Sequence, residues 1–510
     1  TIPLWKDFSY KAHQTSGIEW MIHQEEDPNL PGGFLCDELG LGKTIEILGL
    51  AMTRTVNRTL VLCPLSVVSQ WRSLAKKCKL NVFVLSEEGY KWQSAKSKIY
   101  ANRSNIYILH YDCAIRHTNL TDPFIWDRIV YDEAHRLINR SSSIHLRMKE
   151  ISASVRWIVT ATPVVNDLSD IKSLLLVLGH DLESLPRTRD ELLPLIRQKA
   201  LCRTVDELRP ILPELPQEES THIHTIPFQN KEEQQFYRSI QGKIVERLNI
   251  LMEEGSDQWA ILKLLLLLRQ ISVHPQIYIN ARKKENKHYN RENWIGDSSK
   301  FAHLKNLIHN QSHHHHRWII FCHFHDEMDI LASTLSTMPR IKQVQIYSGG
   351  LSQSQRDEVI RNTHSPLTDE KTTDVLIVQL QSGSVGLNLQ HFDRIVFLSP
   401  WWTAALMDQA VGRAVRIGQT KRVEVHHIRL EEEAVMNIDA IMISKVDTKR
   451  EMCNWFLNNA SRGAIELYED TDNEYTDNNS IHDNNYNNED VNVPISQNNV
   501  SVDSENEDPV

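Results

Sequence analysis

The run DELGLGKT at residues 37–44 limits the architecture more than any other stretch of this chain. It follows the apolar residues Gly33, Phe34, Leu35 and Cys36, which read as a short buried strand. It precedes IEILGL at 45–50, which has helical spacing and no proline. A strand, a glycine turn and a helix opening on Lys43 and Thr44 is the layout of a phosphate-binding loop. Gly40 and Gly42 let backbone N–H groups turn toward a phosphate with no Cβ in the way, and the helix N-terminus adds its dipole. Lys43 has the reach for β- and γ-phosphates, and the Thr44 hydroxyl suits Mg²⁺. Asp37 stands where the simple pattern has its first glycine, and the competing reading is a plain turn before a helix.

The stretch RIVYDEAH at 128–135 bears on that choice. An apolar strand ending in Asp132 and Glu133 puts two carboxylates at the carboxyl edge of a parallel sheet, where open α/β sheets bind ligands. Behind a phosphate loop, Asp132 is expected to hold Mg²⁺ through water and Glu133 to orient or deprotonate the attacking water. A further strand, 156–159, runs into Thr160, Ala161, Thr162 and Pro163, whose hydroxyls would lie beside the carboxylates and relay the state of a γ-phosphate. Upstream, Ile18, Met21 and Ile22 mark an amphipathic helix that carries Gln14. A Gln amide matches the N6/N7 edge of adenine, although spacing alone favours a surface Gln. Strands are also expected at 59–63, 82–85 and 106–109, and a helix after Pro64 with Ser66 as its N-cap.

At 510 residues the chain exceeds one ordinary core, so two or three domains are expected. No stretch approaches the roughly 18–20 apolar residues of a membrane span, so no membrane partner is expected. The seven cysteines form no Cys-x-x-Cys pair, which argues against a zinc module and for a reducing interior, cytosol or nucleus. Of the 66 acidic residues, 13 fall from Glu466 onward, where there is no Lys or Arg. The remainder carries 56 basic against 53 acidic side chains, compatible with a local groove for nucleic acid. The Asn- and Asp-rich tail itself reads as disordered.

The second half repeats the alternation of strand and helix, with buried strands expected at 318–322, 344–347, 375–380 and 394–398. Between the halves, Pro210, Pro213 and Pro216 punctuate a connector, and two helical stretches follow, one with a continuous leucine run at 264–268 that reads as buried core. The basic stretch 281–291 reads as a loop, as does the His tract 313–316, which has no Cys or carboxylate at ligand spacing beside it, the alternative being a metal tract that His323 and His325 could reach. The fold expected is α/β: lobe one over 1–205, a connector and helical insert over 206–296, lobe two over 297–465 and a tail over 466–510. On a helix, Gln409, Arg413 and Arg416 would share one face, and two guanidiniums there suit an anionic ligand. The alternative is a solvated basic face.

Taken in order, Gln14, DELGLGKT, CPLSVVSQW at 63–71, DEAH, TATP, GSVGLNL at 383–389 and DQAVGRAVRIGQ at 408–419 resemble the motifs of superfamily-two helicases. CPLSVVSQW, LLRQISVHP at 267–275, PWWTAALMDQA at 400–410 and RIGQ are similar to blocks of the SWI/SNF-type ATPases in particular. The resemblance covers about residues 8–444 and implies two RecA-like lobes with ATP in the cleft between them. It implies ATP contacts along Asp37, Glu38, Leu39, Gly40, Leu41, Gly42, Lys43 and Thr44, with Gln14 on adenine and Gly386 and Gln409 from the second lobe. Thr44 and Asp132 would hold Mg²⁺, and Arg413 and Arg416 would act as arginine fingers. Duplex DNA would cross both lobes, touched by Ser66 on one and by Gly383 and Ser384 on the other, with Thr160 and Thr162 as coupling residues.

The implied activity is DNA-stimulated ATP hydrolysis driving movement on duplex DNA and remodelling of nucleosomes or other protein–DNA complexes in transcription, in the nucleus. A strand-separating helicase and a weakly coupled nucleotide-binding scaffold for transcription factors are the alternatives. The sequence departs from the family pattern at Ala161, where Gly is usual, at Val415, where His or Tyr is common, and at Ser348, Gly349 and Gly350, which replace Asp-Gly-Ser or Asp-Gly-Thr.

Overall fold

Two parallel sheets carry the chain. The computed structural model describes residues 1–85, 91–94, 102–212, 219–253, 258–368, 372–383, 387, 389–416, 419–431, 437–445, 447 and 451. The expected tail therefore lies outside the described residues.

The first sheet is built from β1 (Gly32–Leu35), β2 (Thr59–Cys63), β3 (Asn81–Leu85), β4 (Trp92–Ser94), β5 (Asn105–His110), β6 (Trp126–Asp132), β7 (Ala153–Val159) and β8 (Ala200–Leu201). Their spatial order is β4-β3-β5-β2-β6-β7-β1-β8, parallel throughout except for the antiparallel β3–β4 edge. Helices cover both faces, so the inner strands are apolar at successive positions instead of alternating. Leu60, Leu62, Ile129 and Tyr131 face one core, and Val61, Cys63, Val130 and Trp157 face the other. Helices α1 (Ala12–Gln24), α2 (Lys43–Thr53) and α3 (Val68–Lys77) serve that second core.

The second sheet comprises β9 (Ser220–Ile226), β10 (His316–Cys322), β11 (Ile341–Tyr347), β12 (Thr373–Gln379), β13 (Arg394–Phe397) and β14 (Glu424–Leu430), in the order β11-β12-β10-β13-β14-β9, all parallel. Here too the central strands feed two cores, Trp318 and Ile320 one way, Ile319 and Phe321 the other.

Several expectations are corrected. The stretch expected as connector and insert contributes β9, which pairs with β14 from Ser220 to Ile226, so the helices that follow interrupt the second lobe after its first strand. Neither β9 nor β14 announces itself in sequence, because polar residues, His and Thr in β9 and Glu, His and Arg in β14, interrupt what in the other buried strands is an aliphatic run. The leucine run lies on the helix Gln258–Val273, where successive side chains turn through the full circle. Leu268 is buried, but Leu262 and Leu266 are 48% and 41% exposed. The basic stretch from Ala281 begins as the last turns of the helix Pro275–Glu285 and not as a loop. His316, last of the His tract, opens β10 and pairs with Asp393 at 2.7 Å. No group of His, Cys, Asp or Glu among the described residues is arranged to hold a metal ion.

Candidate nucleotide site

The neighbouring strands β6, β7 and β1 end side by side, which brings Asp132, Thr160 and the glycine loop to one edge of the first sheet. Strands stand about 4.8 Å apart, so three sequence-distant turns meet within the width of a triphosphate. Gly40 (φ +89°) and Gly42 (φ +96°) both take left-handed conformations, and Gly42 is the N-cap of α2. A Cβ on Gly42 would lie 2.6 Å from Gln14 Nε2. Gln14 is buried: its Nε2 donates to Leu41 O at 3.2 Å, and its Oε1 accepts from the Lys11 N–H at 3.1 Å. Lys43 Nζ donates to the carbonyls of Asp37 (2.7 Å) and Glu38 (3.2 Å), which holds the ammonium at the mouth of the loop.

Asp37 differs from its expected place along the ligand. Its fully buried carboxylate accepts from the backbone N–H and the Nε of Arg203, at 3.1 and 3.0 Å, beneath the loop. Arg203 also donates to Glu46 on α2 and to His13 O on α1, tying the loop to both helices. Two carboxylates face one guanidinium there. Burial pushes Glu46 up against the pull of Arg203. Sequence reasoning missed Arg203: it is a lone cation 166 residues from Asp37, with no motif around it. Glu38 Oε2 accepts the Val205 N–H at 2.6 Å, and burial raises its carboxyl.

Asp132 Oδ2 accepts from Trp71 Nε1 at 2.7 Å, and Oδ1 from the Glu133 N–H at 3.0 Å. Burial and the Glu133 charge push Asp132 up, opposed by Trp71 and Lys43. Glu133 takes the left-handed conformation, φ +53° and ψ +47°, uncommon for a side chain with a Cβ. Its Oε2 lies 3.4 Å from His135 Nδ1. Burial alone would raise Glu133, but His135, Arg413 and Lys43 outweigh it and hold the carboxyl low. Thr160 Oγ1 lies 3.4 Å from His135 Nδ1 and accepts the Thr162 N–H at 3.2 Å, while the buried Thr162 Oγ1 makes no hydrogen bond with a described residue.

The second lobe meets this edge through the turn after the helix Ala404–Val411. A Cβ on Gly412 would stand 3.2 Å from Leu39 Cβ, and one on Gly40 3.8 Å from Val415 O. The expected helical face does not extend through Arg413 and Arg416. The helix ends at Val411, and residues 412–416 form tight turns closed by Arg413 N to Ala410 O and Ala414 N to Val411 O. Gln409 is buried on the helix, while Arg413 and Arg416 follow it in the turns. Desolvation lowers both guanidiniums, with Glu133 and Asp132 opposing the shift at Arg413. A cavity of about 730 Å³ runs between the lobes beside the loop, lined by Glu38, Leu39 and Thr162 on one side and Asp408, Val411 and Val415 on the other. Its lining includes neither Lys43 nor Asp132, so it lies beside the glycine loop and the carboxylate edge.

Ser66 does not cap α3. It sits exposed in the 3₁₀ turn Leu65–Val67, and Val67 precedes the helix. Gly383 closes the short helix Leu380–Gly383, whereas Ser384 and Gly386 lie outside the described residues.

Residues 13–277 match the SNF2-related domain and residues 299–418 the helicase conserved C-terminal domain. A probable global transactivator of Orgyia pseudotsugata multicapsid polyhedrosis virus is 26% identical over 466 residues, 87% of this chain and 90% of that protein. The ISWI chromatin-remodeling complex ATPase ISW2 of Saccharomyces cerevisiae is 26% identical over 84% of this chain, which spans only 39% of that protein. The Sulfolobus solfataricus SWI2/SNF2 ATPase core in complex with dsDNA is similar over 84% of this chain and 90% of that one, with 24% identity and a TM-score of 0.39. With the first of these domains spanning more than half its length, the chain belongs to the SNF2-related family of helicase-like ATPases.

Proposed function

We infer that this protein couples ATP hydrolysis to movement along duplex DNA and so remodels protein–DNA complexes, in the nucleus and in the service of transcription. The observation that carries the reading is the division of one site between two lobes: the loop and carboxylates on the first sheet, and Arg413 with Arg416 on the second, in contact at Leu39 and Gly412. The named activities of the relatives, a probable global transactivator and a chromatin-remodeling ATPase, support the biological role.

The residues fit ATP and a hard divalent cation. The Cβ-free loop, Lys43 and the α2 N-terminus suit phosphates, and Thr44 and Asp132 supply oxygen donors of the kind Mg²⁺ prefers. Bound there, Mg²⁺ would neutralise charge on the β- and γ-phosphates. Glu133, held as a carboxylate, orients the attacking water and accepts its proton. Arg413 and Arg416 stabilise the charge that spreads over the transferring group. The strand between loop and carboxylates ends in Thr160 and Thr162, which register whether the γ-phosphate is present. Closing and reopening of the shared site steps one lobe along the duplex, held by Ser66 on the first and the helix end at Gly383 on the second.

The test is ATP hydrolysis without nucleic acid, with duplex DNA and with single-stranded RNA, using Lys43→Ala as the blank. Duplex should stimulate strongly, and Arg416→Ala should lower turnover by roughly 10³-fold or more with ATP binding retained. Stimulation by RNA alone would move the assignment to a strand-separating helicase. Indifference to every nucleic acid would leave a nucleotide-binding scaffold.

A further inference from the structure

Trp71 is 1% exposed and sits on α3, five residues beyond Ser66. Its ring packs in the second core of the first lobe with Cys63, Val67 and Ala75. Buried indole N–H groups usually find an acceptor: Trp92 and Trp126 use the backbone carbonyls of Leu120 and Thr121, and Trp157 uses a structural carboxylate, Glu25 Oε1 at 3.0 Å. Trp71 donates to Asp132 Oδ2 at 2.7 Å, a carboxylate at the candidate site. With the Glu133 N–H on Oδ1 at 3.0 Å, the carboxylate's orientation is set from two sides, α3 and the turn after β6, while the Tyr111 hydroxyl holds the Asp132 backbone carbonyl at 2.8 Å. Of the two, α3 is the one that starts from the exposed turn assigned above as a duplex contact. Leu65, 67% exposed, and Ser66 form the turn from which α3 starts. At about 1.5 Å per residue, the path from that turn to the indole is roughly 8 Å of continuous backbone.

We propose that Trp71 is a positioning residue that transmits occupancy of the Pro64–Val67 turn by duplex DNA to the Asp132 carboxylate. A shift of α3 on the duplex changes the indole–carboxylate bond and re-aims Asp132 toward the divalent cation, which makes nucleotide and duplex binding interdependent. The inference rests on the assignment of Ser66 as a duplex contact.

The experiment measures two affinities, each alone and in the presence of the other ligand: a non-hydrolysable ATP analogue with Mg²⁺, and a short DNA duplex. Linkage requires the two ratios to be equal, and a coupled wild type should show a factor of roughly 5–150. Trp71→Phe keeps the buried ring and deletes the donor. It should bind duplex alone as the wild type does and lose most of the coupling factor. Coupling that survives intact in Trp71→Phe overturns the role of Trp71 and leaves the translocase assignment standing. A wild type that binds no duplex, or binds it without coupling, overturns both. Hydrogen exchange on the unaltered chain gives the second measurement, independent of whether the variant folds. Duplex alone should change protection in α3 and at Asp132–Glu133 together, and a change confined to α3 would sink the proposal.

Discussion

Gly42 shows how tightly single residues are specified. Its φ of +96° is costly for any residue with a Cβ, and that Cβ would meet Gln14 Nε2 at 2.6 Å. Gly42→Ala should therefore cost about 1–2 kcal/mol of local strain and displace Gln14, weakening ATP binding by tenfold or more. Titration with a fluorescent ATP analogue, beside circular dichroism to confirm folding, checks it, and unchanged affinity would mean the loop relaxes freely. Glu133 is the converse case, a side chain held at positive φ beside Asp132 at the edge of the sheet. Conformations of this kind cost of order 1–3 kcal/mol and persist only where the surroundings impose them. The motif letters identified both residues, but not Arg203, which fixes the loop from beneath.

Among the elements, the helix Gln258–Val273 shows what joins the inserted helices to the second lobe. Arg269, 2% exposed, lies over the rings of Trp401 at 4.7 Å, Trp402 at 5.6 Å and Phe324 at 5.7 Å. Glu327 and Asp439 oppose the fall that burial imposes on its pKa, which drops to about 10 and leaves it charged at neutral pH. Trp401 and Trp402 lead directly into the helix that ends before Arg413, so this clamp sits one helix away from Arg413 and Arg416. Arg269→Ala should lower stability by about 2 kcal/mol or more, and Arg269→Lys should recover only part, because an ammonium lacks the flat face that stacks on indole. Thermal unfolding of the three proteins reads this directly, and full rescue by Lys would argue for charge alone. The sequence placed LLRQISVHP and PWWT in one family pattern, yet gave no sign that the two touch.

Across the whole molecule, buried histidines make stability depend on pH. His274 Nδ1 accepts the Gln276 N–H at 3.1 Å, capping the helix Pro275–Glu285, and burial lowers its pKa to about 4. His426 lies between β9 and the core, 3.0 Å from His224 and stacked on Trp318, with its pKa lowered to about 3 by burial and by His224 and His222. Unfolded histidines titrate near 6.5, so the unfolded chain takes up protons first as pH falls. The contribution of these groups is complete above about pH 6.5 and is lost progressively as pH drops toward 4 and then 3. Melting temperature should decline from pH 7 to pH 5. His274→Asn, which keeps an acceptor for the cap and does not titrate, should flatten that decline, and parallel curves would exclude His274 as a contributor.

The aliphatic strands, the loop, the carboxylate pair and the helicase-type motif order were legible in the sequence because each depends on local pattern: an apolar run, a glycine at a turn, a cation beside it. Lateral pairing decided the rest. The sequence does not state that β6, β7 and β1 are neighbours, and that adjacency alone gathers Asp132, Thr160 and Lys43 at one edge. Nor does it state that His- and Thr-bearing β9 completes the second sheet, that the helix before Arg413 stops at Val411, or that the Asp37 carboxylate turns inward to Arg203. These outcomes depend on burial and on partners up to two hundred residues away, where a buried charge must find its counter-ion wherever packing brings one.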